Sequence, residues 1–203
     1  MVRILLFILF PLFALAMDPL RVMYITYNLR ERDFKAGVEV VRREMEGQGL
    51  RVLRTLTISD AIRARGNQDF RNYYVLFGCE FEGMDSLLLK APAISNVIPC
   101  SVAIYEDRGR AKATIINHHI FLTKYRKRLS PHERRSVEDI YRRLHKALAG
   151  ISTNRPVVPR VPPMREDLVY EETIEGMDFE TFKILYKTAL DGVNMNILDI
   201  MDV

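Results

Sequence analysis

Residues 99–117, PCSVAIYEDRGRAKATIIN, decide the fold. Pro99–Glu106 and Arg110–Asn117 are two runs with strand composition, joined by Glu106-Asp107-Arg108-Gly109. The glycine stands where a two-residue turn needs a backbone with positive φ. The segment therefore predicts two antiparallel strands closed by a tight turn.

Outward from this hairpin, strands and helices alternate. Leu20–Asn28 and Arg51–Ile58 are rich in β-branched and aromatic residues, and Asn72–Cys79 (NYYVLFGC) is apolar enough for an inner strand. Between the first two, Phe34, Val38, Val41 and Met45 recur at helical spacing, which predicts a helix over 31–46 stopped by Gly47 and Gly49. Ser59 caps a short helix over 60–65, and Met84–Lys90 makes another ended by Pro92. Residues 118–129 carry no clear period and read as a further strand. Ser130-Pro131-His132-Glu133 is a helix start with cap, N1 proline and returning carboxylate. Val137, Ile140, Tyr141, Leu144 and Leu148 give that helix its apolar face, and Gly150 closes it.

Composition sets the class. The chain has 203 residues, 48% of them hydrophobic, with a net charge of +4. That is ample for one core and argues against disorder. Residues 1–16 read as a signal peptide: Arg3 opens it, Ile4–Leu15 is apolar but too short to span a bilayer, and Ala14-Leu15-Ala16 predicts cleavage between Ala16 and Met17. The expected location is periplasmic or secreted, with no integral membrane segment after cleavage. The expected organisation is an α+β domain over 17–150, a linker over 151–163 containing NRPVVPRVPP, and an acidic extension over 164–203. Charge is uneven. Residues 160–203 hold four basic and ten acidic side chains, a net of −6, and residues 17–159 a net of +9. Export speaks against a nucleic-acid partner. An acidic tail folding onto a basic body is the simpler expectation, with Phe179, Phe182, Leu185, Tyr186 and Leu190 as its apolar helix face.

Three local patterns carry a resemblance. Tyr74–Cys79 is a strand ending in a small residue and a cysteine. Ile98-Pro99-Cys100 enters the next strand. Val102–Glu106 is followed by the Asp107-Arg108-Gly109 turn. Over roughly residues 20–125 the chain resembles the bacterial family known as domain of unknown function 302, although Glu80-Phe81 stand where that family tends to have Asn-Pro. The resemblance leaves out the region after Ser130. It implies an α+β fold with helices against one face of a largely antiparallel sheet, and it implies no activity. It also implies that Cys79 and Cys100 lie on antiparallel neighbours, close enough for a disulfide after export. Parallel strands joined by a crossover would separate them instead.

Chemistry-bearing residues are few. Cys79 and Cys100 are the only cysteines, and their spacing is unlike a C-x-x-C redox pair. They read as a disulfide, as two inert thiols, or as a reactive or metal-binding pair. His118-His119 could add an imidazole to a copper or zinc site built on those thiols, or could be surface histidines. Lys124, Arg126, Lys127 and Arg128, with Arg134, Arg135, Arg142 and Arg143, form a basic run suited to solvent, to the tail, or to weak contact with an anionic membrane. Glu80 and Glu82 form a carboxylate pair without a substrate to place beside it. No G-x-S-x-G, H-E-x-x-H or phosphate-binding glycine loop occurs. The expected function is a non-catalytic module binding a ligand, a metal or a partner. The alternatives are a self-associating protein, as a homodimer, and a thiol- or metal-dependent enzyme.

Overall fold

The computed structural model describes residues 23–79, 88–89, 100–161 and 175–193. Five strands form one sheet: β1 (Tyr24–Asn28), β2 (Arg51–Leu56), β3 (Tyr73–Cys79), β4 (Cys100–Asp107) and β5 (Arg110–Ile116). Their order is β1-β5-β4-β3-β2, and every neighbouring pair is antiparallel. Five helices are described among these residues: α1 (Phe34–Gly47), α2 (Ile58–Ala64), α3 (His118–Lys124), α4 (Pro131–Gly150) and α5 (Phe179–Gly192). This is the α+β architecture expected.

The hairpin forms as its sequence demands. Asp107 pairs with Arg110, and both central turn residues have positive φ, 52° at Arg108 and 70° at Gly109. That is a primed turn, whose twist matches the strands it joins. Gly109 adopts its φ without strain, whereas Arg108 has a Cβ and does not.

The core lies between the sheet and helices on one face. Ile25 and Tyr27 of β1, Leu76 of β3, Val102 and Ile104 of β4, and Ala111, Ala113 and Ile115 of β5 are all buried, alternating with half-exposed neighbours. Val38, Val41 and Met45 of α1 and Val137, Leu144 and Leu148 of α4 meet them. Met45 packs where Gly78 leaves room: a Cβ at residue 78 would lie 2.9 Å from both Met45 Cε and Arg51 O. Capping holds the helix ends. Asp33 accepts a hydrogen bond from Ala36 N at 2.8 Å, and Ser130 and Glu133 close a reciprocal capping box at 3.2 and 2.7 Å.

Some expectations shift. Residues 118–124 are a helix, not a strand, because Asn117 ends β5 and caps α3, its side chain accepting from His119 N. Ser59 is buried inside α2, which starts one residue after Thr57. Gly150 is the last helical residue of α4 rather than its stop. Of the expected 84–90 helix, only Leu88 and Leu89 are described, and they are helical. Residues 1–16 with the Ala16–Met17 cleavage site, and Glu80 and Glu82, lie outside the described residues.

The chain then fastens the free edge of β1. Thr153 N donates to Asn28 O, Asn154 bonds both Asn28 N and Thr26 O, and Asn117 Nδ2 donates to Pro159 O. The proline-rich segment is therefore tied to the sheet edge through residue 159. The acidic extension behaves differently: α5 has no buried residue, and Phe179, Ile184, Leu185 and Tyr186 are each at least half exposed. The expected docking of the tail is not seen in α5.

Candidate functional site

Helices cover only one side of the sheet among the described residues, so the other side shows what the protein offers to a ligand. Alternation places Tyr24 and Thr26 of β1, Lys112, Thr114 and Ile116 of β5, Ser101, Ala103 and Tyr105 of β4, and Tyr73, Val75 and Phe77 of β3 there. A depression of about 380 Å³ opens on this face, lined by Tyr24, Tyr73, Tyr105, Ser101, Ala103, Thr114 and Ile116. Tyr73 and Tyr105 sit directly opposite in register and stack with centroids 5.9 Å apart and planes 16° from parallel. Thr114 Oγ1 is 2.9 Å from Thr26 Oγ1 and donates to Tyr105 Oη at 3.4 Å. Burial, then the phenols of Tyr105 and Tyr24, hold the Tyr73 pKa above its ordinary value, so it remains a neutral donor. The result is an apolar floor with hydroxyls at its rim, within the size range of small-molecule sites.

A larger depression of about 630 Å³ lies between residues 67–72 and the hairpin turn. Its polar groups already satisfy one another. Arg63 donates to Phe70 O and Asn72 Oδ1, and Asn72 Nδ2 donates to Glu106 Oε2. Its charges are of both signs, which favours a structural role over a binding one.

On the helix side lies a partly buried histidine cluster that sequence reading half missed. His118 opens α3 and stacks on Tyr141 of α4 at 4.8 Å. His145, on the next turn of α4, faces His118 with centroids 5.7 Å apart and hydrogen-bonds Tyr27 through Nδ1. Nδ1 of His118 and Nε2 of His145 are buried without a partner. Burial, and next the neighbouring His119, push the His118 pKa down to about 3 and the His145 pKa down to about 4; His145 is a third, smaller cause at His118. Burial pushes Tyr27 up to about 12. All three groups are therefore neutral near pH 7. Tyr27 and His145 had no sequence signal beyond sitting on apolar faces 118 residues apart.

The sequence-predicted residues separate. Cys79 ends β3 and Cys100 begins β4, and the strands are antiparallel, as the resemblance implied. Register pairs Cys100 with Gly78, so the two cysteine positions are neighbours but one residue out of phase. His118 and His119 follow β5 at this same end of the sheet. No group of three or more His, Cys, Asp or Glu side chains among the described residues is arranged to hold a metal ion. Lys124 lies over the Tyr125 ring at 5.9 Å, and Arg126, Lys127 and Arg128 are exposed in the turn after α3. Asp139 pairs with both Arg142 and Arg143, which partly neutralises the basic face of α4. No described helix is long and apolar enough to cross a membrane.

Comparison with known proteins addresses kinship. The family model described as Domain of unknown function DUF302 matches residues 25–151. The chain belongs to that family. The DUF302 domain runs from β1 through α4, beyond the 20–125 span that local motifs suggested. The reason is visible in the core, where α4 packs across α1 and supplies Val137, Leu144 and Leu148. A crystal structure of a DUF302 protein from Bacillus stearothermophilus aligns with TM-score 0.55 at 16% identity, covering 64% of this chain and 98% of that one, which is a likeness of fold. An uncharacterized protein of Aquifex aeolicus (strain VF5) is 49% identical over 47 residues, 23% of this chain. The match spans about a third of that relative's length.

Proposed function

We propose that this DUF302 protein is an exported, non-catalytic binding module whose uncovered sheet face takes an apolar ligand bearing an aromatic ring. The observation that carries the reading is the three-tyrosine depression. Tyr24, Tyr73 and Tyr105 present ring surface and hydroxyls around an apolar floor, on a face that no described helix covers. Stacking and burial would supply affinity, while the Tyr and Thr hydroxyls would orient one polar group of the ligand. A nucleophile beside a base is absent from this depression, which favours binding over turnover. The α+β scaffold holds the tyrosines on strands rather than on loops, so the surface is pre-organised. Export is supported by the charged start, short apolar run and Ala14-Leu15-Ala16 pattern of the first sixteen residues.

Titration with 1-anilinonaphthalene-8-sulfonate, an aromatic anion of suitable size, tests the reading. Saturable binding is expected, with loss of at least tenfold in affinity on Tyr105→Glu, because a carboxylate would be placed in the apolar floor. Undiminished binding by a folded Tyr105→Glu protein would refute it. Intact-mass measurement of protein recovered from outside the cytoplasm tests the export half, with loss of residues 1–16 expected.

A further inference from the structure

None of the residues that line the open-face depression carries a charge. Its polar side chains are all hydroxyls: the phenols of Tyr24, Tyr73 and Tyr105, with Ser101 and Thr114. Lys112 is the cation beside them in register, paired with Tyr105 across the β4–β5 ladder. Asp107 holds it in an ion pair, so its charge is already met by the protein itself.

The hydroxyl bonds run one way. Thr114 has a single hydroxyl proton, and that proton goes to Tyr105 Oη. The 2.9 Å bond between Thr26 and Thr114 is then donated by Thr26. The chain therefore reads Thr26 to Thr114 to Tyr105, and its last link, at 3.4 Å, is long enough to set direction more than strength. With its oxygen already accepting, Tyr105 has its own proton left to offer, and no described residue accepts it. Tyr73 is the register partner of Tyr105, with its ring nearly parallel. It too stays protonated, held so by burial first and by the phenols of Tyr105 and Tyr24 next. The depression thus presents uncharged donors around an apolar floor.

We infer that the ligand is an uncharged aromatic carbonyl compound, whose oxygen accepts hydrogen bonds from Tyr105 and Tyr73 while its rings cover Ala103 and Ile116. The inference rests on the binding reading above and narrows it to one ligand class. A carbonyl oxygen has two lone pairs, one for each phenol. An aromatic carboxylate would exchange water for neutral donors with no cation to meet its charge, so that charge has to stay on the solvent side. A plain aromatic hydrocarbon would cover the floor but leave the phenol protons beneath it unpaired. The carbonyl is an acceptor without either cost.

The test uses the full chain and three probes that share a naphthalene ring system and differ in one group: 2-acetylnaphthalene, 2-isopropenylnaphthalene and 2-naphthoate. The first two have nearly the same shape, with a methylene in place of the carbonyl oxygen, and the third carries a negative charge. Equilibrium dialysis gives the affinity of each. The ketone is expected to bind about fivefold more tightly than the isopropenyl compound, the worth of one net hydrogen bond. It is expected to bind about tenfold more tightly than naphthoate. Tyr105→Phe keeps the ring and removes the proton. It should take away most of the ketone's advantage and leave the isopropenyl affinity unchanged, which shows that the site is intact. Equal affinity of ketone and isopropenyl compound in the natural chain overturns the inference and leaves the binding reading standing. Naphthoate binding as tightly as the ketone does the same, as does a ketone preference that survives Tyr105→Phe undiminished. A loss in Tyr105→Phe shared equally by ketone and isopropenyl compound would assign Tyr105 to shape alone and overturn it as well. Saturable binding of none of the three removes the binding reading itself, and the inference with it.

Discussion

Acid should unfold this protein through two histidines well before its carboxylates titrate. His118 and His145 are held neutral by burial, with folded-state pKa values of about 3 and about 4. An unfolded histidine titrates near 6.5. Below that pH the unfolded chain takes up protons that the folded chain refuses, so stability is intact above about pH 6.5 and falls until the folded values are reached. Each group then lowers stability by about 1.4 kcal/mol per pH unit. Between pH 7 and pH 5 each contributes about 2 kcal/mol, and together about 4 kcal/mol, a large share of a typical domain's stability. The direction follows from geometry: a proton on His118 Nδ1 or His145 Nε2 would place a charge at an atom with no hydrogen-bond partner. The assay is urea unfolding at pH 7, 6 and 5, with the midpoint converted through a common slope. Substituting His118→Phe keeps the stack on Tyr141, and His145→Gln keeps a partner for Tyr27. The double variant should lose less than about 1 kcal/mol over the same range. A natural chain whose midpoint is flat from pH 7 to pH 5, or a double variant with an undiminished slope, would refute the reasoning.

Two further substitutions test how the scaffold is held. Ser130→Ala removes one side of the capping box on α4, and should cost about 1 kcal/mol by urea unfolding; an unchanged midpoint would mean that packing of α4 alone sets its start. Gly78→Ala drives a methyl against Met45 Cε and the Arg51 carbonyl, and should cost about 1–3 kcal/mol. A neutral result there would show that β2 can move away from β3 at its bulge.

The sequence by itself determined every element whose instructions are local. The 106–109 turn, the Ser130–Glu133 capping box and the Phe34–Val38–Val41–Met45 period each act within a few residues, and each appears where it was expected. The α+β class follows from these elements, and kinship follows from the motifs around Cys79, Cys100 and the hairpin. Residues 118–124 went astray because Asn117 reads as a strand residue until its side chain is seen capping the next helix. Only the tertiary structure decided which face of the sheet is covered. The open-face positions of β3 and β4, including Val75, Phe77 and Ala103, are as apolar as those of a buried face, so alternation could not mark which side the helices take. Likewise, Tyr27 of β1 and His145 of α4 meet across 118 residues, a contact set by packing rather than by any local pattern. Burial of the imidazoles, and with it their neutrality, is a property of that packing. A pKa depends on what surrounds a group in space, and those surroundings exist only once the chain has folded.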